Sequence, residues 1–374
     1  MVNESRLIGL FKQLCLINAP ALGEAECASF VKRHLTEMGL EVREDNAGEK
    51  SGGNANNIIA TLKGNKPGAP HIYLSAHLDT VEPTAGLIIE ERNGVLYSAS
   101  DTILGADDKG GMAPAIEAIA MLQEQKPEHG DVTLLFSVAE EIGLKGADAL
   151  EIEDLNLDFG YVLDTGPPVG SFVSRTATHD KLDVIIYGIP AHAGKDPENG
   201  VNAIAVAADA ISGMSLGRIG PETTSNFGII DGGTAVNVVC PFVRLRGEAR
   251  STDIAELDKQ VNHMIERFEN AAKKWGATVT IDHKRHYRSY NIDSDTKVVE
   301  VAQRAAKALG MSGELRTTLG GSDANVYNAK GLPSLVMATG MEAIHTHSEC
   351  ISITSLVDTA RLAYQVVVEA AKDV

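Results

Sequence analysis

The amino-acid sequence predicts an α/β fold that carries an inserted α+β ferredoxin-like domain. Short apolar segments typical of buried strands alternate with helical segments in the first part of the chain. The order then changes to strand-helix-strand-strand-helix-strand, which is the split ferredoxin-like unit. The alternating pattern resumes afterwards, so we expect the sheet domain to be discontinuous in sequence.

The first part, residues 1–175, is predicted to supply most of the sheet domain. Apolar residues at helical spacing predict helices over residues 4–16 and 24–38. The predicted buried strands, which are short and rich in strand-forming residues, are Ile72–Ala76, Val132–Val138 and Tyr161–Leu163. A helix over Gly111–Leu122 is expected between two of these strands.

The middle part, residues 176–287, is predicted to fold as the inserted domain, and residues 288–374 complete the sheet domain. The inserted strands are expected at Leu182–Tyr187, Thr223–Ile230, Val243–Ala249 and Thr278–His283. The inserted helices are expected at Val201–Met214 and Asp253–Trp275. The last part is predicted to contain helices at Thr296–Leu309 and Ser355–Lys372 and a strand at Leu335–Ala338.

Composition and charge exclude several classes of function. A chain of 374 residues with 44% hydrophobic content can bury a sizeable core, and its length indicates two domains. The net charge of -18 and the lack of a basic cluster argue against nucleic acid as a partner. No segment reaches transmembrane length, and the first fifteen residues lack the pattern of a signal peptide. Four scattered cysteines without a CxxC pair fit a reducing compartment, so we expect a cytoplasmic protein with no membrane partner.

Side chains of metal-ligating type follow the predicted strands. His77 ends one strand, and Asp79 lies two residues on, where a carboxylate can hold the second ring nitrogen of a ligating histidine. Glu140 and Glu141 follow another strand, and Asp164 follows a third. Because ligands bind beyond the carboxyl ends of strands in open α/β sheets, we expect these side chains to converge.

Two positions stay open on residue chemistry alone. In GADDKGG, Asp107 is placed to bridge two cations, but Asp107 or Asp108 could instead simply cap the following helix. In HTHSE, His345 and His347 compete as the last ligand. With one aspartate of GADDKGG and one of these histidines as ligands, the set holds two imidazoles and three carboxylates, which suits zinc, with cobalt or manganese as substitutes.

The donor set predicts hydrolysis at a two-metal centre. One shared carboxylate with two further ligands for each cation leaves open positions for water and a substrate oxygen. Glu141 would bind metal while Glu140 takes a proton from the attacking water. A serine nucleophile is not expected, because no GxSxG occurs and the loop of Gly320, Gly321, Ser322 and Asp323 is better explained as a turn.

Eight motifs in a fixed order resemble those of a known enzyme family. They are SAHLDTV, GADDKGG, SVAEEIGLKGA, VLDTG, PAHAG, GEARS, GGSDAN and HTHSE. Together they resemble the aminoacylase/carboxypeptidase clan of di-zinc exopeptidases, especially the peptidase T-like aminopeptidases, over nearly the whole chain. The resemblance implies a phosphorylase/hydrolase-like α/β/α catalytic domain, two zinc ions per subunit, and a lid domain through which the protein forms a homodimer.

The resemblance also implies roles for single residues in the catalytic domain. Asp79 would orient the ligand His77, the bridging carboxylate would be Asp107 rather than Asp108, and Glu140 would be the general base. The last ligand in the family lies four residues before a glutamate. That spacing selects His345, which precedes Glu349 by four residues.

In the inserted domain the resemblance implies substrate contacts. His192 would stabilise the tetrahedral oxyanion in a partner subunit's site. Arg250 would contact the carboxylate end of the substrate, which the planar guanidinium suits. Asn237 and the loop containing Gly321 and Ser322 would line the site.

We therefore expect a zinc aminopeptidase of peptidase T type that cleaves short peptides. The alternative reaction is that of a deacylase or carboxypeptidase acting on N-acyl amino acids or dipeptides, because the same metal centre serves both. The chain looks shorter than a full tripeptidase of the family, so strict tripeptide preference does not follow. A non-catalytic metal-binding protein would be expected to have lost Glu140 or a ligand, and all are present.

Overall fold

The computed structural model describes residues 1–373, and the chain divides into two compact units. The sheet unit comprises Met1–Ser174, Tyr290–Thr317 and the chain from Ser322 onwards. The inserted unit comprises Arg175–Ser289 and Thr318–Gly321. The predicted fold class, α/β with an inserted α+β unit, is confirmed.

The chain before the inserted unit alternates helices and strands. Its helices are α1 (Glu4–Leu16), α2 (Ala25–Glu37), α3 (Ala47–Ser51), α4 (Ala106–Gln125) and α5 (Lys145–Ala149). Its strands are β1 (Glu41–Glu44), β2 (Ile58–Leu62), β3 (Ile72–His77), β4 (Ile89–Arg92), β5 (Val95–Ser98), β6 (Val132–Ser137), β7 (Phe159–Val162) and β8 (Phe172–Arg175).

The inserted unit and the C-terminal part follow in the predicted order. The inserted unit contains β9 (Thr178–Tyr187), α6 (Ala203–Ser212), β10 (Gly217–Gly220), β11 (Thr223–Gly232), β12 (Phe242–Ser251), α7 (Ile254–Trp275) and β13 (Thr278–Tyr287). The C-terminal part contains α8 (Lys297–Ala308), β14 (Leu315–Thr317), α9 (Asp323–Ala329), β15 (Ser334–Met337), β16 (Met341–Glu342), β17 (Cys350–Ser352) and α10 (Ile353–Ala370).

The main sheet of the sheet unit has the strand order β1-β2-β6-β3-β7-β15-β8-β14. Strand β3 pairs in parallel with β6 and β7, and β7 pairs in parallel with β15. Ile72 and Leu74 of β3 belong to a core with α1, α4, α8 and α10, whereas Tyr73 belongs to a second core with residues of α5 and α9. Both faces of the central strands are therefore covered. Because side chains on both faces are buried, the sequences of these strands are continuously apolar.

The inserted unit has an antiparallel sheet of order β10-β11-β12-β9-β13. Leu182, Val184 and Ile186 of β9 alternate into a core that they share with α6 and α7. Strand β10 was not predicted, because its sequence Gly-Arg-Ile-Gly lacks the alternation that marks a half-buried strand.

A small sheet of order β16-β17-β5-β4 also escaped prediction, because its strands have only two to four residues. Helix α4 begins at Ala106, five residues before the predicted start at Gly111, and carries non-helical backbone angles at Asp107 and Asp108. Over residues 1–373, no helix has the length and apolarity that a membrane crossing requires.

Candidate metal centre

The carboxyl ends of three neighbouring parallel strands carry the predicted ligands. His77 is the last residue of β3, and Asp164 follows β7 by two residues. Glu140 and Glu141 follow β6 after a turn at Ala139, whose φ of 53° lies in the left-handed region. Since the three strands run in parallel, these side chains emerge at one edge of the sheet.

Asp107 lies between two histidines. Its Oδ1 is 3.0 Å from Nε2 of His77, and its Oδ2 is 3.1 Å from Nε2 of His345. Nε2 of His345 also lies 3.1 Å from Oε1 of Glu141. Asp107 is only 5% exposed, and its contact with His77 is buried, whereas the side chain of His345 is 47% exposed.

The side chains form two groups that could each hold a cation. One group is His77, Asp107 and Asp164, and the other is Asp107, Glu141 and His345. Within each group the ligand atoms lie within 4.8 Å of one another. Both groups include Asp107, so the geometry offers one shared carboxylate and two further ligands per cation, which is the layout of a two-metal hydrolase. The structure thus brings together all five predicted ligands.

The pKa values of His77, His345 and Asp107 are shifted by the hydrogen bonds between the histidines and the carboxylates. Burial would lower the pKa of His77, but hydrogen bonds to Asp107 and Asp79 raise it well above its usual range. Hydrogen bonds to Asp107 and Glu141 raise the pKa of His345 to about 10. Burial would raise the pKa of Asp107, yet hydrogen bonds from both histidines lower it. A bound cation would compete with protons for the same nitrogen and oxygen atoms.

Glu140 lies beside these groups and is 9% exposed. Burial raises the pKa of its carboxyl well above the usual range, and the nearby charges of Asp164 and Asp323 act in the same direction. A carboxyl whose pKa is raised by burial is a stronger proton acceptor than an ordinary glutamate.

Asp79 joins His77 to the glutamate pair. Its carboxylate accepts hydrogen bonds from the backbone N–H of Glu140 at 2.9 Å and of Glu141 at 3.1 Å. Nδ1 of His77 lies 2.9 Å from the backbone carbonyl oxygen of Asp79 and 3.5 Å from its Oδ1. The contact that orients the imidazole is therefore shorter to the backbone of Asp79 than to the carboxylate proposed from the sequence.

Neither aspartate of GADDKGG caps helix α4 with its side chain. The N-cap position is Gly105, and no side-chain hydrogen bond caps the helix. Asp108 instead accepts the backbone N–H of His77 at 3.3 Å, and its Oδ1 is buried with no hydrogen-bond partner within the described chain. The peptide bond between Asp107 and Asp108 is cis. The simple capping role considered for this segment is not observed.

Glu349 positions the segment that carries Asp107. Its carboxylate accepts the backbone N–H of Gly105 at 2.7 Å and of Asp107 at 2.9 Å, and the residue is 1% exposed. His345 and Glu349 thus reach the same loop from one short segment. His347 belongs to neither ligand group and lies 3.0 Å from the exposed Asp101.

The remaining predicted residues lie mostly in the inserted unit. His192 is exposed, and its Nδ1 accepts the N–H of Gly194 at 3.1 Å. The neighbouring Ala193 donates to the backbone carbonyl of Asn237 at 2.9 Å. His192 and Asn237 therefore lie on adjoining segments of one surface region.

Arg250 is fixed by its own neighbours in the inserted unit. Its Nε and one terminal nitrogen donate to Glu248 at 3.1 and 2.9 Å, and the other terminal nitrogen donates to the carbonyl of Leu319 at 3.2 Å. A side chain at Gly321 would collide with the ring of Tyr287, so glycine is required there. Ser322, the next residue, is buried in the sheet unit.

Sequence reasoning missed Asp323 as a member of the acidic cluster. Asp323 is 1% exposed and accepts a hydrogen bond from the hydroxyl of Ser137, at the end of β6. Burial raises the pKa of Asp323 to about 6. The sequence signal was the polar Ser137 at the end of an apolar strand, but the partner of that serine is 186 residues away in the chain.

Comparison with known proteins identifies relatives over the whole chain. Residues 73–369 match the family described as peptidase family M20/M25/M40. An uncharacterized protein, YqjE, of Bacillus subtilis is 41% identical over 372 residues, with 100% of both chains covered. Peptidase T of Clostridium perfringens is 29% identical over 380 residues, with 89% of each chain covered.

Two solved structures share both the fold and substantial sequence identity. Aminopeptidase PepT from Bacillus cereus has a TM-score of 0.89 at 40% identity, with 99% of each chain covered. A tripeptidase from Staphylococcus aureus has a TM-score of 0.94 at 36% identity, with 100% of each chain covered.

Proposed function

Because the chain belongs to peptidase family M20/M25/M40, we propose that it is a metal-dependent aminopeptidase of peptidase T type that cleaves short peptides. The observation that carries this proposal is the pair of ligand groups sharing Asp107, with Glu140 beside them. Relatives whose names are peptidase T, aminopeptidase PepT and tripeptidase support the substrate class.

The cofactor in this proposal is a pair of zinc ions, for which cobalt or manganese can substitute. His77 and Asp164 would hold one ion, Glu141 and His345 the other, and Asp107 both. Imidazole nitrogens and carboxylate oxygens without thiolates are ligands that zinc accepts. When bound, such ions lower the pKa of a water molecule and polarise the scissile carbonyl.

Glu140 carries the proton in this mechanism. Its carboxylate accepts a proton from the attacking water and then donates it to the leaving amine. The backbone hydrogen bonds from Glu140 and Glu141 to Asp79 hold the two carboxylates in their separate places. Asp79 also contacts His77, so a single residue orients both a ligand and the base.

The inserted unit supplies the proposed substrate contacts. His192, with an exposed imidazole, would stabilise the tetrahedral oxyanion, and Arg250 would bind the carboxylate end of the peptide. The ion pair between Arg250 and Glu248 supports that role because it holds the guanidinium plane in one orientation. Asn237 and the segment Gly321–Ser322 would line the site.

We also propose a cytoplasmic homodimer formed through the inserted unit. The side chains that support this are large, apolar and at least half exposed: Ile204 at 54%, Ile229 at 50% and Ile230 at 59%. Large apolar side chains that stay exposed in one protomer are candidates for a contact between subunits. Replacing Ile229 and Ile230 by serine should yield monomers in analytical ultracentrifugation, and an unchanged sedimentation coefficient would reject this surface.

The substrate class is tested with a matched set of peptides. Zinc-loaded protein should release the first residue from unblocked di- and tripeptides and should leave the N-acetylated versions intact. Turnover of N-acetyl or N-succinyl amino acids, without hydrolysis of any unblocked peptide, would identify a deacylase or carboxypeptidase instead. Hydrolysis of neither group, together with less than about one zinc per chain, would support a non-catalytic protein.

A further inference from the structure

Four successive backbone amides, those of residues 138–141, donate to side chains from outside the segment that leaves β6. The N–H of Val138 donates to Asn57 at 3.0 Å, and the N–H of Ala139 donates to Glu24 at 2.9 Å. The amides of the following two glutamates donate to Asp79, as described above. The whole turn that carries the proposed base is therefore held by three acceptor side chains from distant parts of the sequence.

Glu24 is the unexpected member of this set. It lies just before α2, is 0% exposed, and accepts the N–H of Leu22 with the same Oε1 that accepts the N–H of Ala139. Its Oε2 is buried and has no hydrogen-bond partner among residues 1–373. Burying a carboxylate that is not fully paired costs free energy, so its position needs a compensating role.

The turn at Ala139 explains why an external acceptor is needed. Its φ of 53° places an alanine in the left-handed region, which a residue with a Cβ rarely adopts. Ala139 is buried, so its N–H would lose a partner completely if Glu24 were absent. Glu140 and Glu141 follow this residue directly, and a change in the turn would move both carboxylates together.

We propose that Glu24 is a positioning residue for the reaction, acting through the N–H of Ala139 to fix the direction in which Glu140 points. This inference rests on the proposed function, because it takes Glu140 as the base. Glu24 touches neither substrate nor metal in this account. Its hydrogen bond connects the segment before α2 to the turn that carries Glu140.

Three variants at position 24 separate hydrogen-bond geometry from charge. Glu24→Gln keeps an acceptor oxygen at the same distance and should retain kcat within about threefold. Glu24→Met fills similar volume without an acceptor, and Glu24→Asp keeps the charge but withdraws the oxygen. Both should lower kcat about 10- to 100-fold with KM changed less than about twofold, because misplacing a catalytic group slows the chemical step.

The matched control is Glu117→Met. Glu117 is also buried, at 2% exposure, and also accepts a backbone amide, that of Asn3 at 2.8 Å, together with the guanidinium of Arg6. It lies in α4 and contacts α1 rather than the catalytic turn. Its replacement should lower thermal stability while leaving the kcat of the folded protein unchanged.

Hydrogen exchange gives a readout that does not depend on activity. Amides of residues 138–141 should exchange faster in Glu24→Met and Glu24→Asp than in wild type, and should be unchanged in Glu24→Gln and Glu117→Met. If the wild type hydrolysed no peptide but these exchange differences appeared, the proposed function would fail, whereas the hydrogen bond by which Glu24 holds the turn at Ala139 would stand.

Two results would overturn the positioning role. One is a wild-type kcat in Glu24→Asp, and this result decides the question whether or not Glu24→Met folds. The other is an equal loss of kcat in Glu24→Gln and Glu24→Asp, since that pattern would show that keeping an acceptor oxygen for the N–H of Ala139 does not preserve the rate.

Discussion

The two carboxylate oxygens of Asp107 face two different histidines, with Oδ1 3.0 Å from Nε2 of His77 and Oδ2 3.1 Å from Nε2 of His345. This arrangement divides the surrounding ligands into two groups that have only Asp107 in common. A residue that belongs to both groups should have a different effect on metal content from a residue that belongs to one.

Replacing Asp107 by alanine should therefore remove both cations, whereas replacing Asp164 or His345 should remove one. Inductively coupled plasma mass spectrometry of dialysed protein should give about two zinc ions per chain for wild type, about one for Asp164→Ala and His345→Ala, and near zero for Asp107→Ala. His347→Ala is the matched control and should retain the wild-type content. Equal losses in Asp107→Ala and Asp164→Ala would contradict a shared ligand.

Metal affinity should increase with pH. The pKa of His345 is raised to about 10 by its hydrogen bonds to Asp107 and Glu141, so its imidazole is protonated at neutral pH when no cation is bound. Binding must displace that proton, and each proton released strengthens binding about tenfold per pH unit until pH approaches the pKa. Calorimetric titration of zinc into chelator-treated protein, in buffers of different ionisation enthalpy, measures the protons released. Binding without proton release between pH 6 and 8 would contradict this assignment.

Glu349 should matter for metal affinity although it belongs to neither ligand group. Its carboxylate accepts the N–H groups of Gly105 and Asp107, and removing it would leave both buried donors unpaired. Glu349→Ala should weaken zinc binding about 10- to 100-fold, as is common for residues that support ligands, and Glu349→Gln should weaken it less. A competition titration with a chromophoric chelator measures the change. Unchanged affinity in Glu349→Ala would show that the loop holds Asp107 without this residue.

Arg250 should distinguish peptides with a free carboxylate end from amidated peptides. If its guanidinium binds that carboxylate, wild type should have a lower KM for a free tripeptide than for its amide, and Arg250→Lys should reduce the difference about tenfold. Metal content should not change, which separates this effect from damage to the metal centre. An Arg250→Lys variant that keeps the full preference would reject the role.

Periodicity was sufficient to predict the long elements that build the cores of the two units. Helix α1 begins and ends at the predicted residues, and the four long strands of the inserted unit were all placed within a few residues of their ends. Short strands such as Met341–Glu342 could not be predicted, because two residues carry no period. The early start of α4 was missed for a different reason, since Asp107 interrupts the helical backbone angles within it.

For the site, the position of polar residues after apolar strands was the informative signal. It located His77, Glu141 and Asp164, because strands that are neighbours in a parallel sheet end at the same edge. It could not decide between Asp107 and Asp108, since an aspartate before a helix is equally expected as a cap. The contact of Glu24 with the turn at Ala139 could not be predicted, because an acidic residue at the start of a helix is favourable whatever it contacts.

The most direct test of the account is the Glu140→Gln variant, assayed for turnover of an unblocked tripeptide and for zinc content in the same sample. Glutamine fills the space of glutamate but cannot accept the proton from water. We predict about two zinc ions per chain, as in wild type, and a kcat lower by about 10² to 10⁴-fold or more. Glu342→Gln, an exposed glutamate outside both ligand groups, should leave both quantities unchanged. A Glu140→Gln variant that binds both ions and turns over peptide at the wild-type rate would contradict the account.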